Sequence, residues 1–134
     1  MAWDSYSEGM VSAWDFTFSS EDMLAFEKMS KDHNPIHTNP EFAQSKGFSG
    51  PLVYGLLLAT QVSRLVGQEL PDTHAILTGL SLNFTSPAFV DEQLRFESTL
   101  VNKSDATYSL GFKCRITRGG KSLCRGTASA VWRS

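Results

Sequence analysis

The stretch that decides the fold is LVYGLLLATQVSRLVGQEL, from Leu52 to Leu70. Its apolar side chains and good helix formers predict one long, largely buried helix, ended by Pro71, that is apolar nearly all round. A helix of this kind needs other elements to cover most of its surface. Gln61, Ser63 and Arg64 interrupt the apolar run before it could span a membrane, so we expect that cover to be protein.

The segments that could provide the cover follow the helix. Four of them, rich in β-branched and aromatic residues, are HAILTGLSLNF, QLRFESTLVNK, TYSLGFKCRIT and KSLCRGTASAVW. The short turns between them predict an antiparallel meander of four consecutive strands. VSAWDFTFSS, at residues 11–20, alternates apolar and polar side chains and predicts an earlier strand. Together, these elements predict an α+β fold in which the sheet wraps the helix.

Capping signals predict two short helices before the long one. Ser19 and Asp22 have the spacing of a capping box and predict a helix from about Glu21 to Met29. Asn39 predicts the cap of a second, shorter helix. The two Asn-Pro pairs within residues 34–40 should keep the backbone between these helices out of regular helical geometry.

Composition fits a single domain over residues 1–134. The chain is 41% hydrophobic and 19% charged, and its net charge of −2 gives no general case for nucleic-acid binding. The charge is uneven, because residues 103–134 carry +6 and the rest −8. This excess predicts either a solvated sheet face or a patch for phosphate or an acidic partner. Its basic residues are Lys103, Lys113, Arg115, Arg118, Lys121, Arg125 and Arg133.

The N-terminus and the cysteines bear on the compartment. Neither a basic region nor an apolar run begins the chain, so we expect a cytoplasmic protein with no membrane segment. Cys114 and Cys124 flank the turn sequence RGGK, which favours positions opposite each other on a hairpin. In a chain of this kind we expect both thiols to stay reduced.

The segment SKDHNPIHTNPEF, at residues 30–42, places an acid and two imidazoles in one stiff loop. A metal site at His33 and His37 is disfavoured, because Pro35 lies between them and the Glu of the zinc-protease motif is missing. Asp32 and His37 fit an acid–base pair better, since a tight turn lets them hold one water. A structural role is equally open: Asp32 would cap the turn, and a backbone carbonyl would satisfy His37.

Two positions on the long helix favour chemistry. Gly55, in its first turn, has no Cβ, so a ligand can approach a backbone N–H at the positive end of the helix dipole. Close packing against the sheet explains a glycine there equally well. Ser63 lies about two turns later on roughly the same face. It would donate either to the acid–base pair or to its own helix backbone.

At this point the chain resembles a known family. DHNPIH, followed by GFSGPLVYGLLLATQVSRLVG, is similar to the signature of MaoC-like, (R)-specific enoyl-CoA hydratases. That signature is D-x-N-P-x-H and then an apolar helix that opens on a glycine. The resemblance extends from about Phe18 to the C-terminus. It implies the hot-dog fold, a long central helix wrapped by an antiparallel β-sheet, and a homodimer whose sheets join edge to edge.

The resemblance also assigns roles by position. Asp32 and His37 match the catalytic acid–base pair, and Gly55 matches the glycine whose N–H holds the thioester oxygen. Ser63 matches a serine that supports the pair. Tyr54 stands where the family usually has His, so we expect it to shape the acyl site. Two further residues of the motif are not part of the acid–base pair. Asn34 can close the turn by bonding to nearby backbone. His33 fills the variable position of the family's motif, and we expect it at the surface.

The implied activity is that of a hydro-lyase. It would hydrate trans-2-enoyl thioesters reversibly to (R)-3-hydroxyacyl thioesters, with the acyl group on coenzyme A or acyl carrier protein, and with no metal or cofactor. Two alternatives stay open: a 3-hydroxyacyl dehydratase acting on a carrier protein, and a non-catalytic subunit that binds acyl chains. A thioesterase of the same fold typically places its acid on the helix, where this chain has Leu56, Leu57 and Leu58.

Overall fold

A five-stranded sheet and an apolar helix form the two layers of the structure, a computed structural model that describes residues 2–134. This arrangement confirms the predicted α+β class. In chain order the elements are a 3₁₀ turn (Ala2–Ser5), β1 (Val11–Phe16), α1 (Ser20–Ser30), α2 (Pro35–Thr38), α3 (Pro40–Ser45), α4 (Gly55–Arg64), β2 (Ala75–Phe84), β3 (Leu94–Ser104), β4 (Ser109–Arg118) and β5 (Lys121–Trp132).

The strand order of the sheet is β1-β3-β4-β5-β2, and every pair is antiparallel. β3, β4 and β5 form a meander, whose last turn uses Gly119 and Gly120 with positive φ. The prediction of four consecutive strands is wrong for β2, which pairs with β5 instead of β3. Residues 85–93 form a connection too long for a tight hairpin, and a bridge between Leu52 and Phe89 ties it back. β2 is therefore an edge strand.

The central helix is shorter and less covered than predicted. α4 begins at Gly55 rather than Leu52, because Tyr54, with φ −58° and ψ 133°, lies outside helical geometry and forms the N-cap. The helix continues as a π-helical turn, Leu65–Glu69. One face of α4 packs into the core, but Leu56 on another face is 71% exposed. Within a single chain, the helix is therefore less buried than the apolar pattern predicted. No helix within residues 2–134 is long and apolar enough to cross a membrane.

The short helices follow their capping signals, with one exception. Both bonds of the capping box join Ser19 and Asp22 at the start of α1, and the Asn39 side chain caps α3. The exception is α2, because the segment between the Asn-Pro pairs forms one helical turn, Pro35–Thr38, where an irregular loop was predicted. Pro35 is tolerated because it opens the turn, where the N–H that proline lacks would have no helical partner.

The two cysteines are free and buried, but they are not directly opposite each other. Cys114 pairs with Gly126 and Cys124 with Ile116, so the thiols are diagonal neighbours on the inner face of the hairpin. Burial raises the pKa of Cys114, and burial together with Cys114 raises the pKa of Cys124 to about 11. Thiols held in the protonated form are poor nucleophiles, which fits a structural role.

Candidate active site

The acid–base loop, residues 32–37, rests on a three-residue strap, residues 52–54, that leads into α4. The Leu52 N–H donates to the Ile36 carbonyl at 3.0 Å, and His37 Nδ1 donates to the Leu52 carbonyl at 2.7 Å. The Tyr54 hydroxyl donates to the backbone carbonyl of Asp32 at 2.8 Å. These three bonds fix both ends of the loop against the start of the helix.

The bond to Leu52 determines how His37 can act. A carbonyl oxygen only accepts hydrogen bonds, so Nδ1 must carry a proton. In the neutral imidazole the lone pair is then on Nε2, which has no hydrogen-bond partner among residues 2–134. The ring is half-buried and stacks on Tyr54, with centroids 4.1 Å apart and 24° between the planes. His37 therefore offers one basic nitrogen in a fixed direction.

The two carboxylate oxygens of Asp32 also differ in their contacts. Oδ1 accepts the Asn34 N–H at 3.1 Å, while Oδ2 is without a hydrogen-bond partner in the described part of the chain. Asn34 closes the turn as predicted, since its Oδ1 accepts the Ile36 N–H at 3.0 Å and its carbonyl accepts the His37 N–H at 3.0 Å. The structural hypothesis accounts for one atom of Asp32 and one of His37, and it leaves Oδ2 and Nε2 for chemistry.

A cavity of about 270 Å³ opens beside His37. Half of its lining residues come from α1, a helix to which the sequence patterns assign no functional part. The one signal available was the spacing of Met23 and Glu27, four residues apart on one face of a helix that leads into the loop. The lining residues are Ser20, Met23, Leu24, Glu27, His37, Thr38, Pro51 and Val90.

Gly55 lies in the first turn of α4, as predicted, and is its first residue. Helical hydrogen bonding begins with the N–H groups of Leu57 and Leu58, which both donate to the Tyr54 carbonyl, and no side chain caps the helix. The Gly55 N–H therefore belongs to the first turn, where amides lack helical partners and the dipole favours negative charge. A Cβ on this residue would lie 3.3 Å from Phe84 Cζ. Packing against the sheet and access for a ligand both favour glycine here.

Ser63 is the predicted site residue that the single chain does not bring to the pair. It is exposed, about 12 Å along the helix axis from Gly55, and no described contact joins it to Asp32 or His37. A supporting role for Ser63 stays a prediction.

His33 lies at the surface, as expected, with a side chain that is 66% exposed. Its Nδ1 is 2.9 Å from Glu27 Oε2, so it links the acid–base loop to α1. Within residues 2–134, no group of three or more His, Cys, Asp or Glu side chains is placed to hold a metal ion.

Tyr54 lies beneath the loop, and the cavity beside His37 is not lined by it. Its side chain is 2% exposed, and its ring packs on Phe26 with centroids 4.6 Å apart. Burial, followed by the nearby charges of Glu27 and Asp32, raises the pKa of Tyr54. The phenol therefore keeps its proton and remains a hydrogen-bond donor. A role for Tyr54 in the acyl pocket stays a prediction.

Comparison with known proteins identifies the family of the chain. Residues 8–116 match the MaoC like domain. The chain is 41% identical to an (R)-specific enoyl-CoA hydratase of Aeromonas caviae, over 60% of each protein. It is 36% identical to a mitochondrial 3-hydroxyacyl-[acyl-carrier-protein] dehydratase of Arabidopsis thaliana, over 58% of this chain and 45% of that protein. The matched part thus spans less than two thirds of either curated relative.

A solved structure identifies the fold. The (R)-hydratase from A. caviae involved in PHA biosynthesis superposes with a TM-score of 0.90 and 32% identity, over 96% of this chain and 98% of that one. This similarity confirms the hot-dog fold that the motif implied.

Proposed function

Because this chain belongs to the family of MaoC-like domains, we propose that it is a hydro-lyase that hydrates trans-2-enoyl thioesters reversibly to (R)-3-hydroxyacyl thioesters. One observation carries the proposal. Asp32 and His37 sit on a single loop beside the first turn of α4, and each keeps one polar atom free of described partners. In the proposal, these two atoms hold the attacking water, and the amide of Gly55 holds the thioester oxygen.

In this proposal the loop positions the water and moves its proton. Asp32 Oδ2 and His37 Nε2 each accept a hydrogen bond from the same water. As the water oxygen bonds to Cβ, the pair takes a proton from it, and the pair then returns a proton to Cα on the same face. We assign the proton to the pair rather than to one residue, because Oδ2 of Asp32 and Nε2 of His37 are both free to accept it.

Gly55 stabilises the charge that develops during the addition. As the bond to Cβ forms, the electrons of the carbon–carbon double bond move onto the thioester oxygen. The Gly55 N–H, at the positive end of the α4 dipole, donates to that oxygen and lowers the energy of the enolate. The scheme needs no metal and no cofactor, since the loop handles the protons and the amide handles the negative charge.

A single assay tests the function. Purified protein is given crotonyl-CoA while the loss of enoyl absorbance and the release of free thiol are followed together. We expect absorbance to fall without thiol release. Thiol release would indicate a thioesterase, and absence of both changes would favour a non-catalytic acyl-binding subunit. Faster turnover of the crotonyl group on acyl carrier protein than on coenzyme A would favour the dehydratase alternative, which the name of the A. thaliana relative supports.

We further propose that basic residues on the outer sheet face contact the phosphates of the thioester carrier. An open groove of about 590 Å³ on the face away from α4 is lined by Lys113, Arg115 and Arg125, among others. Arg115 is paired with Glu97 at 3.0 Å, whereas Lys113 and Arg125 have no described partner. Arg115 and Arg125 face each other across β4 and β5, an unfavourable pairing that a bound anion would relieve.

The assembly that we propose is a homodimer. β2 is an edge strand, and its apolar side chains are unusually exposed: Leu77 by 38%, Leu80 by 43% and Phe84 by 47%. Leu56 on α4 adds a further exposed apolar side chain. An uncovered apolar edge of this kind needs a partner or protection. A second copy of the chain, paired along this edge, would cover both the strand and the helix face.

We also propose that residues 1–134 form one domain and that the protein is cytoplasmic. A single cluster of buried apolar residues joins the sheet, α4 and the N-terminal turn, which supports one domain. The buried free thiols are compatible with a reducing compartment. Cell fractionation with an antibody tests the location, and a single unfolding transition in urea tests the domain count.

A further inference from the structure

Tyr54 contacts both members of the acid–base pair. Its hydroxyl donates to the Asp32 backbone carbonyl at 2.8 Å, and its ring covers one face of the His37 imidazole at 4.1 Å between centroids. We propose that Tyr54 is a positioning residue, which sets Asp32 and His37 relative to each other. The inference rests on the proposed hydratase function, but the geometry it describes can be tested without substrate.

Tyr54 is also adjacent in the chain to Gly55, whose amide is the third group of the proposed site. Gly55 follows it directly, and Leu52, two residues before it, accepts the bond from His37 Nδ1. The acid, the base and the amide are therefore all held by residues 52–55. A displacement of about 1 Å in reacting groups can cost about 100-fold in rate, so this connection matters for catalysis.

Helix α1 packs against the Tyr54 ring through Phe26. The Phe26 ring packs on the tyrosine at 4.6 Å between centroids and 41° between planes, on the helix that also provides Met23 and Glu27 to the cavity wall. Because burial keeps the phenol neutral, its hydroxyl donates to the Asp32 carbonyl across the pH range in which a hydratase would be assayed. The ring and the hydroxyl thus fix different members of the pair.

Two substitutions separate these contributions. Tyr54→Phe keeps the stack on His37 and removes the bond to Asp32, and Tyr54→Leu removes both. We expect kcat for crotonyl-CoA to fall about 10-fold in the first variant and about 100-fold in the second, with KM changed by less than about twofold. The loss should be the same for every acyl chain length, because a displaced acid–base pair serves all substrates equally badly.

Tyr6 provides a matched control. It is also 2% exposed, and its hydroxyl donates at 2.8 Å to Asp72 Oδ1, among residues that have no described contact with the acid–base loop. Tyr6→Phe should lower the melting temperature about as much as Tyr54→Phe and leave kcat unchanged. An equal loss of kcat in both variants would overturn the positioning role and leave one in stability. A changed chain-length preference in the Tyr54 variants would overturn it in favour of the acyl pocket.

NMR of ¹⁵N-labelled histidine tests the geometry without any turnover. With His37→Ala used to assign its signals, we expect wild-type His37 to show a protonated Nδ1 that exchanges slowly with water. Tyr54→Leu should accelerate that exchange, whereas Tyr6→Phe should not. Unchanged exchange in Tyr54→Leu would overturn the inference even if the protein is an active hydratase. Accelerated exchange in a protein without hydratase activity would instead support the geometry and contradict the proposed function.

Discussion

Asp32 and His37 each use one polar atom to hold the loop and leave another free. The bonded atoms hold the loop in its turn and against residues 52–54. Asp32→Asn keeps an oxygen that can accept the Asn34 N–H, and it removes the charge from Oδ2. His37→Ala removes the ring that bonds to Leu52 and stacks on Tyr54. The two substitutions therefore differ in their structural effect.

We expect each of these two variants to lower kcat with crotonyl-CoA by about 10²–10⁴, the range for loss of a general acid or base. The double variant should lose much less than the product of the two, because the residues act as one unit. The melting temperature of Asp32→Asn should change little or rise. Near-full activity in both single variants, with melting many degrees lower, would show that the pair is structural.

Gly55 has two explanations that one double variant separates. The added methyl of Gly55→Ala meets Phe84 at 3.3 Å, and Phe84→Leu removes the ring that it meets. If the glycine is needed for approach of the thioester, Gly55→Ala/Phe84→Leu should regain stability and keep kcat/KM about 10-fold or more below that of Phe84→Leu alone. Urea unfolding and steady-state kinetics provide the two measurements. Recovery of kcat/KM to the level of the single variant would show that the glycine serves packing.

Local signals predicted much of the site at this scale. The D-x-N-P-x-H pattern predicted Asp32 and His37 as the candidate pair, and turn chemistry predicted that Asn34 bonds to nearby backbone. The partners on the strap were not predictable, because the contacts of His37 with Leu52 and Tyr54 depend on how distant segments pack. The α1 side of the cavity was missed for the same reason.

At the scale of elements, local rules located the strands and helices better than they paired them. All five predicted strands exist, and α1 and α3 begin where their caps indicate. The position of β2 beside β5 could not be predicted from turn lengths alone, since a connection of intermediate length allows either neighbour. The helical turn of α2 was also missed, because a rule about the residue before proline was applied where proline opens a helix.

The outer face of β4 and β5 gives a prediction at this scale. Lys113→Glu and Arg125→Glu should raise KM for crotonyl-CoA, more strongly at low salt, because exposed charges are screened by ions. The same variants should leave KM unchanged with crotonyl-pantetheine, which has no phosphate. Arg133→Glu, outside the groove, provides a charge-matched control. If KM is unchanged in both groove variants, the groove is a solvated face and does not bind the carrier.

At the scale of the whole molecule, the proposed homodimer depends on the exposed edge of β2. We expect sedimentation to show a dimer at micromolar concentration, and Leu80→Lys to shift it toward monomer by placing a charge on the apolar edge. Val11→Lys on β1, the opposite edge of the sheet, should have no effect. A wild-type monomer would contradict the dimer, and dissociation by Val11→Lys but not Leu80→Lys would place the interface at β1.

The carboxylate of Asp72 links Tyr6, which follows the N-terminal turn, to Trp132 at the end of β5. Asp72 accepts bonds from Tyr6 Oη at 2.8 Å, Trp132 Nε1 at 2.9 Å and the His74 N–H at 3.0 Å. Burial alone would raise the pKa of Asp72, but the bonds from Trp132, His74 and Tyr6 outweigh it and lower that pKa. A depressed folded-state pKa stabilises the fold above the unfolded-state pKa, about 3.9, and this contribution is lost as pH falls through the folded-state value.

Asp72→Asn should therefore destabilise the protein at pH 7 by about 1–3 kcal/mol, the usual cost of disturbing bonds to a charged group. The difference from wild type should shrink as pH falls below about 3.9. Urea unfolding at both pH values measures it, with Asp91→Asn as an exposed control. A difference that is constant with pH would show that the charge of Asp72 does not contribute.

The grouping of the candidate site in one segment of the chain affects how such a protein can diverge in evolution. The proposed acid, base and amide, Asp32, His37 and Gly55, lie within residues 32–55, less than a fifth of the chain, and β3, β4 and β5 provide none of them. If the proposed function and dimer hold, one copy could lose its activity after gene duplication through a few changes in this segment and still keep its sheet and its partner. The other copy can accept new carriers through changes in the sheet while its acid, base and amide stay in place. Catalysis and assembly in this fold are therefore open to selection separately.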